Sequence, residues 1–286
     1  DGIYKLIGEK VDVPAPDVNT NGKIMSWMVD EYNKLVGVSS IGVLTGKPVE
    51  FGGSLGRNEA TGYGVAVTVR EAAKKMGMDM THAKIAVQGF GNVGAYTVKN
   101  IQKLGGTVVA VAEWAKEVGP YAIYKEDGLD FQAMWDYRAE KGNLVDFPGS
   151  KMISMDEFWS AQVDVVVPAA LENSIDAAVA EKIQAKLVCE AANGPTTPEG
   201  DEVLNRKGII LTPDILTNAG GVTVSYFEWV QNLYGYYWSE AEVEAKEDEA
   251  MVKAFEALWA IKEEYGVTVR EAAYMHSVKR VATAMK

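Results

Sequence analysis

Apolar and polar positions follow two different periods along the chain. Five short runs rich in valine, isoleucine and alanine have the character of buried parallel strands, and they lie at residues 84–90, 108–112, 163–168, 186–189 and 208–212. The stretches between these runs are long enough to hold the crossover connections that parallel strands require. The pattern therefore predicts an α/β fold with a doubly wound, mostly parallel sheet.

A helical period dominates elsewhere. Apolar residues at three- and four-residue spacing predict amphipathic helices over residues 22–35, 59–76 and 92–104. After Pro213 the pattern predicts flanking C-terminal helices over residues 214–237, 240–265 and 269–285. Ser239-Glu240-Ala241-Glu242 resembles a capping box at the start of the second of these. Within that helix the charges alternate with alanines at helical spacing, which favours a solvated face over a docking site.

Composition narrows the class of protein. The 286 residues are 48% hydrophobic and 24% charged, as in globular proteins, and the net charge of −12 disfavours nucleic acid as a partner. No apolar stretch is long enough to span a membrane and no signal-peptide layout opens the chain, so we expect a cytoplasmic protein without a membrane partner. The single cysteine, Cys189, lies in an apolar run and is interpreted as a small buried hydrophobe.

The motif Gly89-Phe90-Gly91-Asn92-Val93-Gly94 lies between a predicted strand and a predicted helix. A lone GxGxxG is weak evidence, but this context is the one that a Rossmann-type dinucleotide-binding unit requires. The first glycine permits a tight turn, the second lets the backbone approach the pyrophosphate, and the third allows the helix to pack close to the strand. Amide groups and the positive end of the helix then face the phosphates.

Glu113 ends the second predicted strand, 24 residues beyond Gly89, and Trp114 follows it. An acid near this offset accepts a hydrogen bond from the adenosine ribose 2′-hydroxyl and repels a 2′-phosphate, which predicts NAD rather than NADP as the cofactor. The alternative is a solvated glutamate at a strand end, and nearby Lys116 weakens the charge argument.

Four further segments resemble glutamate dehydrogenases of the Glu/Leu/Phe/Val dehydrogenase family, in family order over nearly the whole chain. The first is Asp12-Val13-Pro14-Ala15-Pro16-Asp17, and the second is Thr45-Gly46-Lys47-Pro48 followed by Gly52-Gly53-Ser54-Leu55-Gly56-Arg57-Asn58-Glu59-Ala60-Thr61-Gly62-Tyr63-Gly64. The third is Cys189-Glu190-Ala191-Ala192-Asn193-Gly194-Pro195, and the fourth is Pro213-Asp214-Ile215-Leu216-Thr217-Asn218-Ala219-Gly220-Gly221-Val222-Thr223-Val224-Ser225. The resemblance implies reversible oxidative deamination of glutamate. A hydride passes to the nicotinamide, and the resulting imine is hydrolysed to 2-oxoglutarate and ammonia.

The resemblance also implies residue roles on the substrate side. Asp17 matches the family's catalytic aspartate, a proton shuttle for the amine, although a loop aspartate can instead cap the helix that follows. Ser225, with the backbone around Val222, matches the contact to the distal carboxylate, the alternative being a serine bonded to its preceding turn. Arg57 is expected near the cleft, the alternative being a salt bridge with Glu59 or another acid.

On the cofactor side, Thr61 matches the residue that binds the nicotinamide carboxamide, the alternative being a helix-interior threonine, and Asn92 is expected to contact the dinucleotide. Four more residues lie at or after the carboxyl ends of predicted strands, where ligands bind in such folds: Ala169, Ala170, Asn193 and Asn218. The two histidines belong to no ligand cluster, and we expect no metal.

The chain reads as a piece of a longer protein, since the family's catalytic lysine and the lysine that pairs with the substrate's α-carboxylate precede the segment that matches residues 12–17. We expect a substrate-domain remnant (1–40), a dinucleotide-binding domain (41–225) and C-terminal helices (226–286). The intact enzyme is expected to be a homohexamer and this chain a monomer or dimer. It should bind NAD(H) with negligible deaminating activity alone.

Two alternatives stay open. A leucine, phenylalanine or valine dehydrogenase would share the architecture but have an apolar end to its substrate pocket, against which Ser225 argues. The second alternative is a stand-alone dinucleotide-binding module. The glycine loop by itself does not exclude it, because that motif is shared by many unrelated enzymes.

Overall fold

The structure, a computed structural model, describes residues 2–17 and 19–285. The chain forms two compact units. One comprises Asp1–Ala60 with Gly220–Ala250, and the other comprises Thr61–Ala219 with Met251–Lys286. The domain boundaries expected at residues 40 and 225 stay a prediction.

A single sheet organises the second unit. Among the described residues its strands are β1 (Lys84–Gln88), β2 (Thr107–Ala115), β3 (Gly119–Tyr124), β4 (Lys151–Ile153), β5 (Val165–Pro168), β6 (Leu187–Cys189) and β7 (Ile210–Thr212). They lie in the order β4-β3-β2-β1-β5-β6-β7. β1 pairs in parallel with both β2 and β5, and the ladder continues in parallel through β6 to β7. The predicted Rossmann-type, doubly wound, mostly parallel sheet is confirmed.

Helices make up most of the other regular structure of the described chain in both units. They are α1 (Gly22–Val36), α2 (Ala60–Lys75), α3 (Asn92–Lys103), α4 (Phe131–Lys141), α5 (Met155–Trp159), α6 (Ala177–Lys182), α7 (Pro198–Arg206), α8 (Asp214–Thr217), α9 (Gly220–Tyr234), α10 (Glu240–Tyr265) and α11 (Val269–Ala284). Short 3₁₀ turns lie at Ile41–Val43 and Val49–Phe51. None of the described helices is both long and apolar enough to cross a membrane.

Alternate residues of each central strand face opposite cores, as strand geometry requires. In β1, Ile85 and Val87 belong to the larger core, which also includes apolar residues of α2, α3, α10 and α11. Ala86 belongs to the core on the other face, with Val166 and Val188. Both faces of the sheet are therefore buried, which explains why the strands read as nearly continuous apolar runs.

The hairpin that follows β2 was not predicted. β2 continues beyond Ala112 to Ala115, and β3 returns antiparallel to it, with β4 antiparallel to β3 at the sheet edge. β3 begins with Gly119 and Pro120, two residue types depleted in strands, and Pro is tolerated at a strand start where no ladder donor is needed. Gly119 and Pro120 thus contradict local propensity, whereas Tyr121, Ile123 and Tyr124 favour a strand. Pairing with Ala115 and Trp114 of β2 extends the strand over its first two residues.

The predicted helix over residues 214–237 is wrong as one element. It breaks at Asn218 and Ala219 into α8 and α9, and α9 ends before Gly235, which has a φ of 63°. Gly220 opens α9 against the Ala60 carbonyl oxygen, which a Cβ there would meet at 2.3 Å. The break coincides with the boundary of the two units, so tertiary packing rather than helical period ends the element.

Two local predictions are confirmed. Ser239 and Glu242 form the capping box of α10: the Ser239 amide donates to Glu242 Oε2 at 2.8 Å, and the Glu242 amide donates to Ser239 Oγ at 3.3 Å. Cys189 is fully buried in β6. Burial raises the pKa of its thiol to about 12.

Candidate functional site

The glycine loop connects β1 to α3. Gly89 has a φ of 96°, a left-handed conformation that favours glycine, and its amide donates to the Ala112 carbonyl at 2.7 Å. A Cβ on Gly94 would lie 2.0 Å from the Gly89 carbonyl oxygen, so the first turn of α3 packs directly on the loop. The fold itself therefore requires these two glycines.

Gly91 is different. It is exposed, its φ of −71° and ψ of −163° suit any residue, and a Cβ added there would meet no heavy atom within 4 Å. It is the N-cap of α3 and supplies no side-chain cap to the first turn, which begins with Asn92. An uncapped helix N-terminus beside an unhindered backbone is a site suited to an anion.

The switch point of the sheet lies at this loop, because β1 is the strand from which the chain order runs in both directions. Ala169 follows β5, and its amide donates to the Gln88 carbonyl at 2.8 Å. Its carbonyl oxygen would lie 2.9 Å from a Cβ on Gly89, and Ala170 is exposed beside it. The structure thus brings Ala169 and Ala170 together with the glycine loop.

Glu113 lies beside the same loop. Its Oε1 accepts a hydrogen bond from the Phe90 amide at 3.3 Å, and its Oε2 accepts one from Arg138 Nε at 3.2 Å. Its side chain is only 13% exposed, whereas Trp114 is 63% exposed. Glu113 is not a solvated glutamate at a strand end, because β2 continues past it and both carboxylate oxygens have partners.

The remaining cofactor-side residues are in the same unit. The side-chain nitrogen Nδ2 of Asn218 donates to Asn193 Oδ1 at 2.8 Å, and both residues line a cavity of about 270 Å³ next to Asp214. Thr61 is half-buried near the start of α2. It precedes Gly62, where a Cβ would lie 2.5 Å from the Thr97 amide nitrogen of α3. Val93 is half-buried in the first turn of α3, and Phe90 is fully buried.

The predicted substrate residues lie in the first unit. Arg57 Nε donates to the Ser225 hydroxyl at 2.8 Å, and Ser225 is only 6% exposed. Burial lowers the pKa of the Arg57 guanidinium, against the opposing effect of the carboxylates of Glu228 and Glu247. Val222 lies one helical turn before Ser225 and is 69% exposed. The structure thus brings Arg57 to Ser225 as a polar pair.

Asp17 is exposed, in a turn closed by Thr20. Its amide donates to Thr20 Oγ1 at 2.6 Å, and its carbonyl accepts from the same hydroxyl at 2.7 Å. The alternative role of Asp17 as a helix cap is wrong, because Asn21 caps α1 by accepting from the Ile24 amide at 3.1 Å.

A buried ion pair that was not predicted supports the segment before Arg57. Lys47 Nζ lies 2.6 Å from Glu228 Oε1, and both side chains are fully buried. Glu228 also accepts from the Gly46 amide at 3.0 Å and the Lys47 amide at 3.3 Å. No sequence spacing signals a pair 181 residues apart, although Lys47 lies within a motif that resembles the family.

Comparison with known families identifies the chain. The model described as "Glutamate/Leucine/Phenylalanine/Valine dehydrogenase" matches residues 52–286, and "Glu/Leu/Phe/Val dehydrogenase, dimerisation domain" matches residues 1–34. The chain belongs to this family. The resemblance carried by the four segments is confirmed, and the site described above is that of a Glu/Leu/Phe/Val dehydrogenase family member.

Relatives of this family member are glutamate dehydrogenases. It is 78% identical over 286 residues to the NAD-specific glutamate dehydrogenase of Clostridioides difficile and 61% identical to that of Peptoniphilus asaccharolyticus, spanning all of this chain and 68% of each relative. The crystal structure of the glutamate dehydrogenase from P. asaccharolyticus matches with a TM-score of 0.88 at 57% identity, over 99% of this chain and 67% of that one. The hetero-hexameric glutamate dehydrogenase from Thermus thermophilus, in its Leu-bound form, matches with a TM-score of 0.91 at 33% identity, over 99% of this chain and 66% of that one.

Among the residues that the structure describes, no group of three or more histidine, cysteine or carboxylate side chains could hold a metal ion. Of the sequence-predicted polar residues, Glu113 lies beside the glycine loop in one unit, and Arg57, Ser225 and the exposed Asp17 lie in the other.

Proposed function

We propose that this chain is the NAD(H)-binding part of a glutamate dehydrogenase, which converts L-glutamate, NAD and water to 2-oxoglutarate, ammonia and NADH. The observation that carries the proposal is Gly91. The fold has no steric need for a glycine there, while its neighbours Gly89 and Gly94 are required by the backbone. A bound pyrophosphate against the uncapped start of α3 supplies the missing reason.

NAD, when bound, supplies the hydride acceptor of this reaction. The chain's own residues bind and orient it. The amides of residues 91–94 suit the pyrophosphate, and the carboxylate of Glu113 suits the ribose 2′-hydroxyl. Thr61, Asn193 and Asn218 are proposed to contact the dinucleotide at its nicotinamide end, with Ala169 and Ala170 lining the sheet edge and Trp114 beside the ribose.

On the substrate side we assign Arg57, Ser225 and the backbone at Val222 to the distal carboxylate of glutamate. Burial removes water from around the Arg57 guanidinium, so a carboxylate ligand there would form strong charge-assisted hydrogen bonds. The Ser225 hydroxyl accepts a hydrogen bond from Arg57 Nε at 2.8 Å and orients the arginine side chain. Asp17 is assigned the proton transfers at the amino nitrogen, and its exposure in a closed turn is consistent with a group that exchanges protons.

The rival within the family is a dehydrogenase of an apolar amino acid, whose pocket would present apolar groups where this chain has Arg57 and Ser225. The polar pair supports glutamate. The relatives named above are also glutamate dehydrogenases, two of them NAD-specific by name.

The test is a calorimetric titration of the chain saturated with NADH, first with 2-oxoglutarate and then with 2-oxoisocaproate. We expect 2-oxoglutarate to bind more tightly, because only its distal carboxylate can pair with Arg57. Tighter binding of 2-oxoisocaproate would favour the apolar-substrate rival. The sequence-based expectation that these residues alone have negligible deaminating activity stays a prediction, and a steady-state assay with glutamate and NAD tests it.

A proposal on oligomeric state rests on the family match of the N-terminal residues. The match of residues 1–34 to a dimerisation domain supports self-association of the family member, and we retain the proposal of a homohexamer for the intact enzyme and a monomer or dimer for this chain. Light scattering of the chain at increasing concentration measures this directly.

A further inference from the structure

We propose that Arg138 positions the ribose-binding carboxylate of Glu113 and that the balance between the two side chains sets the preference between NAD(H) and NADP(H). The inference rests on the proposed function, because it assumes that the dinucleotide binds at the glycine loop. It adds Arg138, a residue of α4 that lies 25 positions beyond Glu113, to the determinants of cofactor choice.

The helix that carries Arg138 is fixed against the loop by aromatic packing. In α4, Phe131 lies 6.3 Å from the ring of Phe90 in the glycine loop, and it lies 5.6 Å from Trp135. Trp135 in turn lies 5.8 Å from Tyr96 of α3, all distances being between ring centroids. Because Phe90 is fully buried, α4 and the loop share one packed cluster. Arg138 therefore approaches Glu113 from a rigid element.

Two donors hold the Glu113 carboxylate in one orientation. The Phe90 amide reaches Oε1 at 3.3 Å, and Arg138 Nε reaches Oε2 at 3.2 Å. The amide alone leaves the carboxylate free to rotate about its side-chain bonds. With both donors in place, rotation requires that a charge-assisted hydrogen bond be broken. The Glu113 carboxylate is thus oriented before a ribose hydroxyl binds to it, which lowers the entropic cost of binding.

The guanidinium has unused binding capacity. Its central carbon lies 6.0 Å from the ring centroid of Phe90, and its side chain is 35% exposed. Of the three guanidinium nitrogens, only Nε donates a hydrogen bond to another described residue, and the two terminal nitrogens do not. A planar guanidinium with free terminal donors matches the geometry of a phosphate.

Cofactor choice then depends on which of the two charges dominates at the 2′ position. Glu113 accepts from a 2′-hydroxyl and repels a 2′-phosphate, while Arg138, in direct contact with it, offsets part of that repulsion. When the carboxylate is removed, the arginine keeps its place beside the Glu113 side chain, next to the proposed ribose site, with a positive charge that attracts a 2′-phosphate. Glu113 and Arg138 are opposing determinants within one ion pair.

The experiment is a double-mutant cycle on cofactor affinity. NADH and NADPH dissociation constants are measured by calorimetry for the unmodified chain, Glu113→Gln, Arg138→Met and the double variant. Arg206→Met is the matched control, because Arg206 forms an exposed ion pair with Glu181 in the same unit, away from the loop. Thermal unfolding of every variant monitors the fold. If Arg138→Met does not fold, Arg138→Lys in both backgrounds replaces it.

We expect Glu113→Gln to raise NADPH affinity relative to NADH by about tenfold, the size of one hydrogen bond to a charged group. The double variant is expected to lose that gain, and lysine at position 138 to keep part of it. Arg138→Met alone should lower NADH affinity, because Glu113 loses the donor that orients it, and should lower NADPH affinity further, because the cation is lost. Arg206→Met should leave both affinities unchanged. A merely structural arginine would lower both affinities equally.

Equal NADPH gains in Glu113→Gln and in the double variant would overturn the role of Arg138 while leaving the proposed function intact. An unmodified chain that binds neither dinucleotide would overturn the proposed function, and this inference with it. The two failures are therefore distinguished by the first titration of the series.

Discussion

Substituting alanine for each of two glycines of the loop, Gly91 and Gly94, distinguishes the glycine that ligand binding requires from the one that the fold requires. Gly91→Ala adds a methyl group that meets no heavy atom within 4 Å, at a φ of −71° that alanine adopts without strain. We expect the free energy of unfolding to fall by no more than about 1 kcal/mol, because Gly91 is the N-cap of α3, where glycine is better than alanine, while alanine also restricts the unfolded chain. The stability of this variant is thus predicted to stay close to that of the unmodified chain.

Gly94→Ala is the contrasting variant. Its Cβ would lie 2.0 Å from the Gly89 carbonyl oxygen and 2.7 Å from the carbonyl carbon. Because both atoms are backbone, the loop or the first turn of α3 must move. Overpacking of this kind costs about 1–3 kcal/mol or more. We therefore expect a clear fall in the unfolding midpoint for Gly94→Ala only.

Dinucleotide affinity is expected to fall in both variants. In Gly91→Ala the methyl group occupies the space that the pyrophosphate must approach, so NADH affinity should fall by at least about tenfold, equivalent to about 1.4 kcal/mol. Denaturant unfolding monitored by circular dichroism measures stability, and calorimetry with NADH measures affinity. If Gly91→Ala bound NADH as tightly as the unmodified chain, the pyrophosphate would not lie against this backbone.

Three further predictions concern other parts of the molecule. Ser225→Ala should weaken binding of 2-oxoglutarate to the NADH-saturated chain by about tenfold in calorimetry while leaving NADH affinity unchanged, and an equal loss for both ligands would contradict the substrate assignment. Lys47→Met leaves the Glu228 carboxyl group buried without its cation, so denaturant unfolding should show that the free energy of unfolding falls by about 3–5 kcal/mol. The exposed control Lys34→Met should change it far less, and similar losses in the two variants would contradict an energetic role for the buried pair. Because burial raises the pKa of the Cys189 thiol to about 12, a disulfide reagent at mildly alkaline pH should react only after unfolding in guanidinium, and rapid labelling of the native chain would show that the thiol is accessible.

Local signals in the sequence account for much of this fold. The apolar runs identify the five parallel strands because each is buried on both faces, and the pair Ser239 and Glu242 marks the start of α10 because its partners are three residues apart. The spacing of the glycines likewise identifies the loop, since the turn at Gly89 and the close packing at Gly94 arise from neighbouring backbone.

Features that depend on distant pairing were beyond sequence reasoning. Pairing with β2 holds Gly119 and Pro120 in a strand against their own propensity, and the break at Asn218 follows from packing at Gly220. The contact between Glu113 and Arg138 and the pair of Lys47 with Glu228 join segments whose spacing carries no periodic signal. Long-range contacts of this kind are set by topology, which the local pattern does not specify.

The candidate site divides in the same way. Residues of the glycine loop were identified from motif geometry, whereas Asp17, Arg57 and Ser225 were identified only through the resemblance to a family. The hydrogen bond from Arg57 to Ser225 joins residues 168 positions apart, so no local pattern could have revealed it. The role of Asn21 as the cap of α1 was missed because Asp17 offered a competing cap of equal quality four residues earlier.

The glycine loop with Glu113 is proposed to bind NAD(H) in preference to NADP(H). A calorimetric titration of the unmodified chain with NADH and, separately, with NADPH at the same ionic strength tests this directly. We expect saturable binding of one NADH per chain and weaker binding of NADPH. Absence of NADH binding, or equal affinity for the two dinucleotides, would contradict this proposal.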